Sequence, residues 1–373
     1  MRICIDARYA TSDRHFGIRR YSIELVRALA AVDDENEYVV LVNRGNASRI
    51  VNHKRFTELE VPGRIDSLRN FVFGARRLRN IRADIYHSLY HVLPFGARGR
   101  TVVTLHHHAG FDNGDATEAP STFNARAIMN YTLRRADHIL AVSKYVADHT
   151  IPLVGSDPVR ITVSPTGIDE RYHVAGNDRI AHPDDPPRYL VVGYGDPPRN
   201  VSRVVAAMAL LRERLPAAVL EIIGEEAGHE TLRGIVTTLS LQDRVTITRG
   251  LSDDDLLDRM RSATALVYPS LNETCGAPIL EAQAAGCPVI TGDRGPLAEL
   301  AGDAAILVDT SDTWEIADAM ERVFRDSAKR ERLVRDGISH ARAFTWAAAA
   351  KRTVDAYEHL MHRSPRSILA AIR

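Results

Sequence analysis

The chain has 373 residues, 45% hydrophobic and 26% charged, an ordinary globular profile with length for about two domains. Lys plus Arg and Asp plus Glu both number 48, so no global charge excess points to nucleic acid as a partner. The balance is uneven along the chain: residues 1–168 carry 23 basic and 17 acidic side chains, residues 169–373 carry 25 and 31, a weak sign preference between the halves.

In chain order, RICIDA (residues 2–7) reads as a strand rather than a secretory leader, and Ile23, Val26, Leu29 and Ala30 recur at helical spacing in RRYSIELVRALAAV. EYVVLVN, DIYHS and TVVTLHH follow as strands, then a helix over FNARAIMNYTLRRA, a strand HILAVS, a helix from Lys144 and a strand VRITVSP. Asp184 to Pro187, with paired prolines and charges, reads as an inter-domain linker. A second series then begins: strands RYLVVG, AVLEIIG, RVTITRG, ALVYPS and PVITG alternate with helices over VSRVVAAMALLRERL, ETLRGIVTTLSL, SDDDLLDRMRSA and a short one opened at Pro278. Such βαβ repetition predicts parallel sheets covered by helices on both faces, hence an α/β protein of two doubly wound domains. Ligands of open parallel sheets bind outside the carboxyl ends of the strands, which places the expected chemistry in a cleft between two facing domains.

Cys4, Cys275 and Cys287 are odd in number and lack paired spacing, which argues for a reducing compartment. No apolar run reaches the roughly 18 residues a membrane-spanning helix needs. The expectation is a cytoplasmic protein. The segment Arg69 to Arg82, basic with interleaved apolar residues, is either an ordinary solvated helix or a peripheral contact with an anionic membrane.

The most informative stretch is LNETCGAPILEAQAAGCPVITG, residues 271–292. Pro278 suits the first position of a helix and Gly286 its far end, giving a helix of about eight residues. Amides near Gly276 and Ala277, at the positive end of that helix, offer a site for anionic or oxygen-rich groups. Glu273 precedes the helix and Glu281 lies about one turn inside it. Two carboxylates beside a phosphate would repel it, so they must face hydroxyls, and one acid per diol fits a sugar nucleotide. The bland reading makes Glu273 an electrostatic cap and Glu281 part of a solvated helix face.

The spacing of Glu273 and Glu281 resembles the E-x7-E motif of retaining, nucleotide-sugar-dependent glycosyltransferases of family four. HFGIRRYSIELVRAL, DIYHSLYHVLPF, VVTLHH, RRADHILAVSKYVADHT, ITVSPTGID, YLVVGYGDPPRN and PLAELAGDAAILVD resemble further family segments in the family's order, so the likeness covers nearly the whole chain. It implies the GT-B fold: an N-terminal Rossmann-like acceptor domain over 1–168, a C-terminal donor domain over 188–348, and a last helix, about 349–373, crossing back to the first domain. It also implies roles. Glu281 would hold the ribose hydroxyls, and Glu273 would contact the donor sugar near the reaction centre. Gly276, Ala277, Ile279 and Leu280 would lie against sugar and phosphates. Gly17 would let the backbone approach the diphosphate, Tyr194 and Gly195 would belong to the segment meeting it, and Arg199, with Asn200 beside it, would replace the family's phosphate-binding lysine. Arg249 and Gly250 would lie near the nucleobase, and His106 would point at the sugar. Glu273, His106 and Arg199 are thus the expected catalytic residues. Departures are Tyr194, where many members carry an arginine, His107 for an aspartate, and Thr274 with Cys275 for a small-then-aromatic pair; they bear on donor-sugar identity.

The resemblance implies a metal-independent, retaining hexosyl transfer without a resident cofactor, from a nucleotide diphosphate sugar to a saccharide or lipid-linked acceptor. The middle segments look most like the mannosyl- and rhamnosyltransferases of surface-polysaccharide assembly, with GDP-mannose as the favoured donor. Alternatives are a nucleotide-sugar epimerase on the same fold or a degenerate sugar-nucleotide-binding homologue. His106–His108 point to alternate sides of a strand end, which disfavours one metal ion. Residues 193–198, GYGDPP, lack the glycines of a dinucleotide loop. None of Lys54, Lys144, Lys329 and Lys351 lies in a segment suited to a pyridoxal group. The loops Arg44–Ile65 and Ala109–Thr122 carry no readable acceptor motif.

Overall fold

Two all-parallel sheets organise the protein, each built from short apolar runs that can only be satisfied by burial on both faces. The computed structural model describes residues 1–11, 16–43, 50–63, 69–72, 80–97, 99–106, 123–154, 160–173, 185–193, 199–224, 229–271, 273 and 276–362. The chain divides into two compact units, Met1–Gly167 with Trp346–Arg373, and Ile168–Thr345.

The first unit holds β1 (Arg2–Asp6), β2 (Glu37–Asn43), β3 (Phe56–Val61), β4 (Ile85–Ser88), β5 (Arg100–Leu105), β6 (His138–Ala141) and β7 (Ile161–Val163) in the order β3-β2-β1-β4-β5-β6-β7. The order reverses between β1 and β4, where Ile3 pairs with Ile85 and Asp6 with Ser88. Helices α1 (Phe16–Val32), α2 (Phe123–Arg135) and α3 (Lys144–Val154) belong to this unit, as does a C-terminal helix, Trp346–His362. That last helix starts three residues before the expected 349, and residues 363–373 lie outside those described. Phe56–Val61 lies within the segment read as a loop, yet it is a strand in register with β2. Its sequence FTELEV sits at the sheet edge, where glutamates are tolerated and the unbroken apolar signature is lost.

The second unit holds β8 (Arg188–Val192), β9 (Val219–Ile223), β10 (Val245–Thr248), β11 (Ala265–Tyr268), β12 (Val289–Gly292) and β13 (Ile306–Val308), ordered β10-β9-β8-β11-β12-β13. Ile306–Val308 is not among the strands the sequence reading names; its middle residue, Leu307, is an exposed apolar side chain between two buried ones, so the run shows no polar alternation. Helices α4 (Val201–Leu210), α5 (His229–Thr238), α6 (Asp253–Ser262), α7 (Ala277–Ala284), α8 (Gly295–Ala301), α9 (Thr313–Arg325) and α10 (Ser327–Ala341) cover both faces. Alternation along β11 sorts the two cores. Ala265 and Val267 pack with Val204, Val205, Ile316 and Met320, whereas Leu266 and Tyr268 pack with Leu257, Ile279, Leu280 and Leu297.

The first unit ends 17 residues before Asp184, where the sequence reading expects a linker. The reason is local pairing: Ile168 forms a parallel bridge to Thr345, its amide donates to the Phe344 carbonyl at 3.0 Å, and Tyr172 is fully buried in the second unit. Cys4 and Cys287 are buried and free, as small core residues; Cys275 lies outside the described residues. Among the described residues no helix is long and apolar enough to cross a membrane. Of the segment Arg69 to Arg82, residues 73–79 lie outside the description.

Candidate active site

The strand order of the second sheet reverses between β8 and β11, so the carboxyl ends of these two parallel strands lie side by side. One connection runs from β8 to α4 and the other from β11 to α7. Residues about 70 positions apart in sequence are thereby neighbours. Asn200 fastens the two connections. It stands in the left-handed region with φ 57, just before α4, and its side-chain amide donates to the carbonyls of Pro269 at 3.2 Å and Thr310 at 2.8 Å. Asparagine is among the few residues that reach this conformation readily. Its side-chain nitrogen is therefore committed to backbone carbonyls.

Arg199, Tyr268 and Glu273 form a closed cluster at this point. Arg199 Nη1 donates to the Tyr268 hydroxyl and pairs with Glu273 Oε2, while the Tyr268 hydroxyl donates to the same carboxylate oxygen at 2.7 Å. The guanidinium carbon also lies 5.7 Å from the centroid of the Tyr268 ring. The Glu273 side chain is 12% exposed and that of Arg199 33%, whereas Tyr268 is 3% exposed. Two of the three expected catalytic residues are thus brought together, and the third member was not foreseen. The signal for it was faint: Tyr268 is the last residue of a strand flanking the switch point, visible only once strand order is known.

From Glu273 the chain reaches Gly276, which adopts φ 47 and ψ 33 before α7. A Cβ there would stand 3.0 Å from Leu300 Cδ1 and 3.4 Å from Ile279 Cδ1, so both conformation and space select glycine. The helix runs eight residues, as expected, but opens at Ala277, leaving Pro278 second. Pro278 has no amide hydrogen and the Ile279 amide donates to the Gly276 carbonyl at 2.9 Å. The donors this turn can present are therefore those of Gly276 and Ala277, and the Ile279 amide is occupied. Ile279, Leu280, Glu281, Ala282, Gln283 and Ala284 are all buried. Glu281 is only 4% exposed, which removes the solvated-face reading of that acid. On the same helix Gln283 donates to the carbonyls of Ala301 at 2.8 Å and Ala304 at 3.2 Å and meets His340 Nδ1 at 3.0 Å, fixing the helix against α8 and α10.

Arg249 and Gly250 follow β10 and are exposed, Gly250 with φ 62. They lie at the carboxyl edge of the same sheet, two strands from β8. His106 and Gly17 belong to the first unit. His106 follows β5, is 5% exposed, has Nε2 3.1 Å from the Leu89 carbonyl oxygen and meets the Tyr21 ring edge-on at 4.6 Å. Gly17 lies in the first turn of α1, which begins at Phe16 rather than at Arg19, and so is helical rather than part of a loop. A Cβ at Gly17 would meet nothing within 4 Å, so packing does not demand a glycine there. Tyr194, Gly195, His107, His108 and Thr274 lie outside the described residues.

Residues 17–172 match the model of Glycosyltransferase Family 4, and residues 177–340 match that of Glycosyl transferases group 1. A D-inositol 3-phosphate glycosyltransferase of Streptomyces bingchenggensis is 27% identical over 398 residues, covering 94% of this chain and 87% of that protein. A protein of the same description from Stackebrandtia nassauensis is 28% identical over 280 residues, covering 69% of this chain and 62% of its own length. Among solved structures, sucrose-phosphate synthase of Thermosynechococcus elongatus shares the fold with a TM-score of 0.79 at 20% identity, over 98% of this chain and 100% of that one. The architecture is GT-B, with two Rossmann-like domains.

Proposed function

We propose that this chain, whose residues 17–172 match Glycosyltransferase Family 4 and 177–340 match Glycosyl transferases group 1, is a family-four-type glycosyltransferase that transfers a hexose, with retention and without a metal, from a nucleotide diphosphate sugar to a hydroxyl acceptor. The observation that carries this reading is the meeting of Arg199, Tyr268 and Glu273 at the switch point, beside the start of α7. Breaking the anomeric bond leaves negative charge on the diphosphate. The Arg199 guanidinium and the Gly276 and Ala277 amides are preorganised donors for that charge, and losing one such donor typically costs about 10²–10³ in turnover. Glu273 accepts hydrogen bonds from hydroxyls of the donor sugar, and Glu281, on the helix behind it, from those of the ribose. The acceptor hydroxyl attacks from the face the phosphate leaves, and a phosphate oxygen takes its proton. His106 is assigned to the sugar from the first domain. Gly17, where no packing demands a glycine, is assigned to close approach of the diphosphate.

GDP-mannose is the donor we favour, on the likeness of residues 84–95 and 192–200 to mannosyltransferase segments. The description shared by the relatives puts inositol 3-phosphate first among acceptors to test, ahead of saccharide or lipid-linked ones. Incubation of the purified protein with GDP-, UDP- and dTDP-sugars and inositol 3-phosphate is the direct experiment, read as released nucleoside diphosphate and glycosylated product. Glu281→Ala should weaken nucleoside diphosphate binding by about 1.5–3 kcal/mol in calorimetry. Absence of transfer from every nucleotide sugar, with unchanged nucleotide affinity in Glu281→Ala, would overturn the reading.

A further inference from the structure

We propose that the Tyr268 hydroxyl is a positioning group, a hydrogen-bond pivot that keeps Glu273 in place while Arg199 exchanges that carboxylate for the donor diphosphate. This rests on the function proposed above and assigns a part to a residue that none of the expected roles includes.

The roles within the cluster follow from proton counts. A guanidinium only donates, a carboxylate only accepts, and a phenol carries one proton. With Arg199 Nη1 donating to the Tyr268 oxygen, the phenolic proton is directed to Glu273 Oε2, 2.7 Å away. Arg199 and Glu273 both leave from connections, but Tyr268 is the last residue of β11. Its ring is packed with Ile279 and Leu280, its neighbour across the ladder is Thr291, and its carbonyl accepts from Thr291 Oγ1 at 2.8 Å. The oxygen at the end of that ring is therefore fixed relative to the sheet. A group on a rigid element holds a reacting constellation better than one on a loop.

Arg199 serves two anions in turn. Before the donor enters, it pairs with Glu273; a diphosphate brings more charge and draws the guanidinium toward it. The Arg199–Glu273 contact weakens as that happens. The Tyr268–Glu273 bond outlasts the departure of Arg199, because the carboxylate only accepts and the phenol still has its proton to donate, so the carboxylate stays aimed where the sugar hydroxyls arrive. The bland reading gives the ring a core-filling part only, and the two readings differ in what the hydroxyl does during turnover.

Kinetics of the full chain with its best nucleotide sugar separate them. Tyr268→Phe keeps the ring and removes the pivot. We expect kcat to fall about 10- to 100-fold, in line with loss of one charge-assisted hydrogen bond. Affinity for the free nucleoside diphosphate should stay within about threefold, because Arg199 and Glu281 bind it. In a Glu273→Ala background the same substitution should cost less than about threefold, since the pivot then has no side-chain oxygen to hold. An equal cost in both backgrounds, or a loss of nucleotide affinity matching the loss of kcat, overturns the proposal. If Tyr268→Phe does not fold, difluorotyrosine at position 268 keeps the shape and alters the acidity of the hydroxyl. A changed kcat then supports the pivot and an unchanged one removes it. A wild-type chain inactive with every nucleotide sugar would sink the proposed function itself, whereas an active wild type with an additive cycle would sink only this inference.

Discussion

His87 has no place in the expected chemistry and yet contributes to how the protein responds to acid, as do His173 and His340, whose pKa values burial also lowers. It is fully buried on β4, with Nδ1 2.6 Å from the Tyr357 hydroxyl and Nε2 2.9 Å from Thr104 Oγ1. Burial, reinforced by the nearby His138 and His106, lowers its pKa from 6.5 to about 3. The imidazole is therefore neutral in the folded protein where the unfolded chain would bind a proton. Stability contributed by this site is full above pH 6.5 and falls as the pH drops toward 3, by about 1.4 kcal/mol per pH unit. Urea unfolding at pH 7.5 and 5 checks this. The loss between the two should be about 2 kcal/mol smaller in His87→Gln, and an equal loss would rule out His87 as an acid-sensitive group. The same scale shows what was legible beforehand. Glu273 and Glu281 stood out because their spacing about a glycine-proline turn is unusual for a mere surface. His87 and Tyr268 did not, because a histidine or tyrosine inside an apolar strand looks like core until its cross-strand partners are known.

The short helix α7 was legible as an element, down to its length, since Pro278 and Gly286 punctuate it at both ends. What could not be read was how much its entrance depends on one backbone conformation. Gly276 and Gly286 both have positive φ, 47 and 74, but their surroundings differ. A Cβ at 286 would make ordinary contacts, 3.6 Å to Ile338 Cδ1 and 3.7 Å to Val334 Cγ1. At 276 it would press on Leu300 at 3.0 Å, in a wall already filled by Leu297 and Ile279. Gly286→Ala should therefore cost only the left-handed backbone penalty of about 1–2 kcal/mol, and Gly276→Ala about 2–4 kcal/mol, the excess being overpacking. Chemical-denaturation midpoints of the two variants test the ordering, and equal costs would mean that the Leu300 wall yields. The alternating pattern of strands and helices was likewise visible, whereas the charged edge strand β3 and the three-residue β13 were not. Glutamates break the apolar run of β3, and in β13 the exposed Leu307 between two buried residues leaves no polar alternation.

At the level of the whole chain, two compact units share one polypeptide unequally: the second is continuous, but the first is completed by residues that follow it. The returning helix buries Ala349, Ala350, Thr353, Ala356, Tyr357 and Leu360, a spacing of three and four that makes one apolar stripe. This stripe packs on α1, and the Tyr357 hydroxyl meets His87 within the sheet. Arg100, at the start of β5, donates to the Leu360 carbonyl and, at 3.4 Å, to that of Met361, so the sheet satisfies the helix's last carbonyls. Burying Tyr357 and Leu360 alone contributes about 3–6 kcal/mol, a large part of the 5–15 kcal/mol that holds an ordinary domain together. A fragment of residues 1–167 should therefore lack a cooperative thermal transition. A fragment of residues 168–345, which keeps all six of its strands and both of its cores, should melt cooperatively on its own. Joining residues 346–373 to 1–167 through a flexible linker should restore the missing transition, because the helix then docks at high effective concentration. Circular-dichroism melts of the three polypeptides decide the matter. Cooperative unfolding of 1–167 alone would mean that the C-terminal helix decorates the first unit rather than completing it.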